Sequence, residues 1–341
     1  MDKQLNTIGG QMTSYASRLM KSATAAVFIF AASVIVLGTQ HANAQTKVVF
    51  GYVSDGALQW PEYVAIEKGW FKENNIDIEM LAVGGGAAQQ LAAGALNLSA
   101  SGFPDYVRAT EQGAAIKIVL NGVNMPPYDV YAKPTIKSLP ELKGKLVSIG
   151  GNKDITLTYV TAAMAAVGMK PTDVDYIYAK STTARFAALM SGGVDAAILY
   201  PPTNFKAAAA GFNKVATISD HVKDIPFIVY GANLDWAKKN GEALRNYMKT
   251  YSRALTWLYD KKNKDEAVKI LMKHGKVTQQ DANDTYDYFI GIAAYSKDGL
   301  INDASWKKMA DTLIEFGDLP SPAPAITKFV DDSYVKAGWG K

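Results

Sequence analysis

The side chains able to do chemistry in this chain sit just after short β-branched or aromatic runs. Ser54, Asp55, Gln59 and Trp60 follow the run 47–53, and Gly85 and Gly86 follow 76–83. Ser101, Gly102 and Phe103 follow 96–100, while Asn121 and Asn124 follow 115–120. Asn152, Lys153, Asp154 and Thr156 come after 145–149, Ser181 to Thr183 after 174–178, and Tyr200 after 194–199. Tyr230 lies inside a further extended run, 227–232. Hydroxyls, amides, glycine N–H groups and rings in such positions suit reversible capture of a small polar solute. Trp60 either stacks on a planar solute or staples the start of a helix. Gly85 and Gly86 either offer bare amides to an anion or carbonyl at a helix N-terminus, or make a tight turn. Asp154 fits an N-cap better than a ligand contact. Lys153 either pairs with a carboxylate or is solvated surface.

Covalent and metal chemistry find little support. The chain has no cysteine and three histidines, of which His221 and His274 follow residue 45 without a metal-ligand spacing. No nucleophile–histidine motif stands out, and no Gly-Lys-Ser/Thr follows the glycine run, so nucleotide binding gains no support. Paired carboxylates cannot be recognised without geometry. No catalytic residue, metal or cofactor is assigned.

The elements that must position these side chains alternate. Strand patterns at 47–53, 76–83, 96–100 and 115–120 are separated by helical patterns at 58–68, 87–93 and 105–112, with Gly69 and Gly113 as stops. Pro126, Pro127, Pro134 and Pro140 then break the pattern around an extended segment, 128–132. Alternation restarts with strands at 145–149, 174–178, 194–199 and 215–218 and helices at 155–167, 183–190 and 204–210. A second extended segment, 227–232, precedes helices at 235–239, 242–259, 264–273, 279–292 and 303–315. Such order predicts an α/β chain that builds one parallel sheet, crosses out, builds a second and crosses back. The alternative is one large doubly wound domain with a helical tail.

Residues 1–44 read as a cleaved export signal. Lys3, Arg18 and Lys21 precede an apolar run, 23–38, and Ala42-Asn43-Ala44 supplies a small-x-small cleavage pattern before Gln45. Without a cysteine there is no lipid-anchoring site, so a periplasmic location is expected. The whole chain carries a net charge of +4, falling to about +2 once the three basic and one acidic residues before Gln45 are removed. Near-balance gives no electrostatic case for nucleic acid.

Several runs resemble one family. Trp60-Pro61-Glu62-Tyr63-Val64-Ala65-Ile66-Glu67-Lys68-Gly69-Trp70-Phe71 and Ile76-Asp77-Ile78-Glu79 are similar to the first βα unit of periplasmic solute-binding proteins. The subgroup is that of the aliphatic-sulfonate, taurine, nitrate and thiamine-pyrimidine binders. Gln90 to Leu98 resembles their Leu-Asp segment, with Asn97 where Asp is usual, and Leu139 to Lys145 resembles the start of their second lobe. Arg185 to Ala197 is the most family-like run. Tyr200-Pro201-Pro202 departs from the relatives' aromatic-Glu-Pro, and Gly150 to Asp154 departs from the Gly-Ser/Thr turn of oxyanion binders, so sulfonate or nitrate specificity is not carried over.

The resemblance implies a two-lobed periplasmic binding protein (type II) with two crossover hinge segments and C-terminal helices. The expected division is a signal peptide, 1–44; a first lobe, 45–126 with 232–341; and a second, 127–231, containing the hinge strands. It further implies a monomer that holds a small molecule and delivers it to an ABC permease. The expected ligand contacts are Ser54, Gln59, Trp60, Gly85, Gly86, Ser101, Gly102, Phe103, Asn124, Asn152, Lys153, Thr156, Tyr200 and Tyr230. Trp60, Phe103 and Tyr200 suggest an aromatic or heterocyclic solute. The alternatives are an exported sensor signalling to a membrane receptor, or an enzyme like the thiamine-pyrimidine synthase.

Overall fold

A computed structural model describes residues 45–340 apart from Asp224. The first part alternates as β1 (Thr46–Tyr52), α1 (Trp60–Glu67), α2 (Trp70–Glu73), β2 (Ile76–Ala82), α3 (Ala87–Ala92), β3 (Leu98–Gly102), α4 (Phe103–Glu111) and β4 (Ile116–Val123). Next come β5 (Asp129–Ala132), β6 (Leu146–Ile149), α5 (Ile155–Ala165), β7 (Asp175–Tyr178), α6 (Thr182–Met190), β8 (Ala196–Leu199), α7 (Thr203–Ala209), β9 (Asn213–Thr217) and α8 (Ile218–His221). β10 (Ile228–Asn233) leads into α9 (Leu234–Lys239), α10 (Gly241–Tyr259), α11 (Lys264–Gly275), α12 (Gln279–Gly291), α13 (Asp303–Glu315) and α14 (Ser333–Gly338). The expected cleavage site and apolar run, 1–44, lie outside the described residues. Among the described residues no helix is long and apolar enough to cross a membrane.

Two five-stranded sheets form, ordered β2-β1-β3-β10-β4 and β7-β6-β8-β5-β9. Each is parallel except for one inserted strand: β10 runs antiparallel between β3 and β4, and β5 antiparallel between β8 and β9. The two-lobed α/β architecture with two crossovers is therefore the observed one. The extended runs expected to contain the hinge strands are interior strands instead. β5 is buried along its whole length and β10 along all but its last residue. Pairing on both sides satisfies backbone groups that an isolated extended segment at that depth would leave bare. The crossovers are thus the shorter stretches 124–128 and 218–227.

Gly69 ends α1 in the left-handed region, φ 72°, which lets α2 turn back along the sheet edge. Gly231, in the middle of β10, allows a close approach, since a Cβ there would lie 2.3 Å from a Tyr106 ring carbon. The C-terminal helices cover the first sheet. The 19-residue α10 packs on α1 and α14, burying Tyr247 and Tyr251 completely.

Candidate functional site

Two strands of opposite lobes end facing one another. From the carboxyl end of β1, Ser54, Asp55, Gly56 and Ala57 line a cavity of about 160 Å³. From the second lobe, Tyr200, Pro201, Pro202 and Thr203 after β8, and Thr182 and Thr183 at the start of α6, line the other side. Leu271 of α11, Val277 and Thr285 of α12 complete the wall. This is the position beyond strand carboxyl ends where ligands of open α/β sheets bind.

Each lining segment is held by a specific arrangement. Arg185, only 2 % exposed, donates from Nη2 to Thr182 Oγ1 at 2.7 Å, from Nε to the Ile198 carbonyl at 2.8 Å and from Nη1 to the Ala179 carbonyl at 2.9 Å. It thereby ties the start of α6 to the end of β8. Ser181 caps α6 by accepting from the Ala184 N–H at 3.1 Å. Tyr200 meets Tyr128 edge-on at 5.3 Å, and the peptide between Pro201 and Pro202 is cis. On the first lobe, Tyr52 donates to Asp55 Oδ1 at 2.7 Å, and burial together with that carboxylate pushes the phenol up to about 12. The lining combines six hydroxyl-bearing residues and one carboxylate with an apolar remainder that includes Ala57, Pro201, Pro202, Leu271 and Val277. It can form several directional hydrogen bonds to a solute of roughly single-ring size, since an engineered cavity of about 150 Å³ admits benzene. Neither His221 nor His274 lines it, and among the described residues no three His, Asp or Glu converge as a metal-ligand set.

Of the expected ligand contacts, Ser54 and Tyr200 line this cavity, and so do Asp55, Thr182 and Thr183 among the other residues that follow strand patterns in the sequence. The other expected contacts are placed differently. Trp60 is buried in the first lobe, its indole N–H donating to the Ala267 carbonyl at 3.1 Å and its ring edge-on to Tyr286. Phe103 is buried against Trp306, and Tyr230 lies in the same lobe's interior between Phe50 and Tyr251. Gln59 is buried and its Oε1 has no partner among the described residues. Ser101 Oγ donates to Asp105 Oδ2 at 2.7 Å, across the N-cap residue Gly102. Asn124 accepts from Asn121 Nδ2 at 3.0 Å, beside the first crossover. Gly85 and Gly86 belong to a 3-10 turn, and a Cβ on Gly85 would meet open space. Asn152 and Lys153 are exposed.

Asp154 is the expected N-cap. It accepts from the Thr156 N–H at 2.9 Å and from its hydroxyl, while Thr156 Oγ1 accepts from the Gly150 N–H at 2.8 Å. Asp154→Ala is expected to cost about 1 kcal/mol of stability, read from urea unfolding, since one helix cap is lost.

Sequence reasoning missed Leu271, Val277 and Thr285, because helices after residue 234 read as cover and nothing in their pattern marks the cavity-facing positions. Thr203 and Ala57 had no signal beyond lying a few residues after a strand.

A larger groove, about 700 Å³, lies on the outer face of the first lobe between Trp70 and Trp257. Its aromatic faces are already occupied: Arg253 lies 4.1 Å over Trp70 and pairs with Glu73 at 2.6 Å, and Lys68 lies 4.7 Å over Trp257. It joins no strand ends and no second lobe, so the smaller interlobe cavity is the better candidate.

Two α/β lobes, each with one inserted antiparallel strand, and a cavity at their facing strand ends define the periplasmic-binding-protein fold. Within it the chain belongs to the NMT1/THI5-like family, whose model matches residues 59–265. The periplasmic aliphatic sulphonate-binding protein SsuA of Escherichia coli superposes with a TM-score of 0.69 at 19 % identity, covering 84 % of this chain and 92 % of that one. The ligand-binding component of an ABC-type import system from Staphylococcus aureus, solved with zinc bound, gives 0.72 at 14 % identity, covering 87 % and 100 %. Among curated proteins, YtlA of Bacillus subtilis, named a candidate binding protein, is 22 % identical over 290 residues, covering 82 % of this chain and 86 % of its own.

Proposed function

We propose that the protein is the solute-binding component of an ABC-type importer, closing two lobes around a small polar molecule. The observation that carries this is the interlobe cavity walled by Ser54–Ala57 of one lobe and Tyr200–Thr203 of the other. A ligand touching both walls binds the closed state better than the open one, and that difference drives closure. The lobes are taken as 45–123 with 228–340, and 129–217, moving about 124–128 and 218–227. The ligand contacts are assigned to Ser54, Asp55, Thr182, Thr183, Tyr200 and Thr203. Two of the three rings that suggested an aromatic solute are used in packing, so that expectation rests on Tyr200, and the hydroxyl lining favours a small polar molecule with or without a ring. Delivery to an inner-membrane permease and a periplasmic location fit the export pattern of 1–44 and the roles of the structural relatives, and a monomer suffices because both walls of the cavity come from one chain.

The test is a thermal-shift screen of the purified chain from Gln45 onward against sulfonates, pyrimidines, aromatic acids and small polyols. A ligand at about 100 times its dissociation constant is expected to add about 2.7 kcal/mol. The hit is recovered by mass spectrometry and its uptake measured in cells lacking the protein. Unchanged solute and lost uptake fit the proposal; a converted solute identifies an enzyme instead.

A further inference from the structure

We propose that Arg108, Asp318 and Lys153 form an electrostatic clasp that holds the two lobes together without a bound solute and sets how readily they open. Arg108 projects from α4 of the first lobe. Its Nε and Nη2 both lie 2.7 Å from Asp318 Oδ2, in the segment after α13. The same Nη2 donates to the Lys153 carbonyl of the second lobe at 2.7 Å. Lys153 Nζ approaches the other Asp318 oxygen at 3.6 Å. One carboxylate therefore holds cations from both lobes, and one guanidinium holds the carboxylate and a carbonyl of the opposite lobe.

Burial separates this arrangement from an ordinary surface pair. The Asp318 side chain is 10 % exposed, against 29 % for Arg108 and 53 % for Lys153. With the lobes in contact Asp318 is shielded, so its attraction to Lys153 is weakened less by water than that of a fully exposed pair. A second set of contacts joins the lobes at α12. Asp129 of β5 accepts from Tyr288 of α12 at 3.0 Å and from Asn204 at 2.9 Å, while Lys206 Nζ lies 3.7 Å from Asp281 of α12. In both sets the first-lobe partners Asp318, Tyr288 and Asp281 come from the chain after β10. The C-terminal segment thus works as a strap between the lobes. Neither Asp318 nor Asp129 lines the cavity, so a solute bound there does not compete with these ties for the same side chains. A consequence is sensitivity to salt, because the lysine half of the clasp is solvent-exposed and screened within a Debye length.

The proposal rests on the two-lobed binding reading only in taking the lobes to move. The absence of cysteine makes the test direct. Asp77→Cys and Thr172→Cys place labels on exposed positions of the first and second lobe. The interlobe distance distribution is then measured by single-molecule energy transfer without solute. The parent at low salt is expected to show, beside the long distance, a measurable short-distance population, which solute then enlarges. Asp318→Asn, Arg108→Gln, or about 1 M salt is each expected to lower the short-to-long ratio by about fivefold or more. Lys307→Gln, which breaks an exposed i,i+4 pair with Asp311 elsewhere on α13, is expected to leave it unchanged. Arg108→Gln guards against a folding defect in Asp318→Asn, and only variants with parental circular dichroism are compared. A ratio that stays within twofold of the parent for both clasp variants and at high salt overturns the clasp. Solute binding is measured separately, so a protein that binds its solute but ignores these changes disproves the clasp and leaves the binding reading standing.

Discussion

At pH 8 the Glu62→Gln protein is expected to be more stable than the parent by about 3 kcal/mol, with the difference shrinking below about 1 kcal/mol at pH 5. Glu62 lies on α1, fully buried among Tyr230, Tyr247 and Tyr251. Tyr247 donates to its Oε1 at 2.8 Å, but its Oε2 accepts no well-formed hydrogen bond among the described residues. Burial raises the carboxyl from an ordinary 4.5 to about 7, with Tyr247 and Tyr230 opposing. Because the folded value is the higher one, this group's contribution is intact below the unfolded value. It is lost as pH climbs from about 4.5 towards 7, where the unfolded chain ionises freely and the folded one does not. A shift of that size corresponds to about 3 kcal/mol at the alkaline end. Glutamine keeps an acceptor for Tyr247 and never has to ionise. Urea denaturation of both proteins across pH 5 to 8 measures this directly. Parallel stability curves would mean that Glu62 ionises in the folded state as easily as in the unfolded one.

Ser54→Trp is expected to weaken solute binding by at least about 100-fold, or about 2.7 kcal/mol, with little change in melting temperature. Ser54 sits half-buried at the end of β1 and lines the cavity, so the indole takes space that the solute needs without disturbing packed core. A cavity of about 160 Å³ has room for one ring, and a tryptophan supplies it. Calorimetry with the solute found by the thermal screen decides the matter. Parental affinity in this variant would place the site elsewhere.

Much of the architecture was legible because period and punctuation report it. The β-branched and aromatic run 47–53 yields to the helical spacing that Gly69 stops, and the structure places β1, α1 and the left-handed glycine there. Asp154 announced a helix start by its type and position, and its carboxylate makes the cap. The segment 227–232 was legible as extended but not as a member of the first sheet. Pairing partners depend on where the chain returns in space, and a buried strand and a linker of similar composition look alike in sequence. The site was legible in location more than in membership. Lying after a strand puts a residue at the correct end of the sheet, and Ser54 and Tyr200 follow from that rule. Which side chain faces the cleft depends on the turn. Trp60 is directed inward because α1 begins there, and its N–H finds the Ala267 carbonyl on a helix 207 positions away. Phe103 and Tyr230 are absorbed by packing partners that sequence does not identify. Lys153 was expected either to pair with a carboxylate or to be solvated surface; it is exposed, with its Nζ 3.6 Å from Asp318.

A crystal structure of the protein with its screened solute addresses the central claim most directly. Electron density for the solute is expected between Ser54 and Thr203, within hydrogen-bonding distance of both lobes and with Thr182 and Tyr200 in contact. Density instead in the outer groove between Trp70 and Trp257, with the interlobe cavity holding only water, would contradict the account.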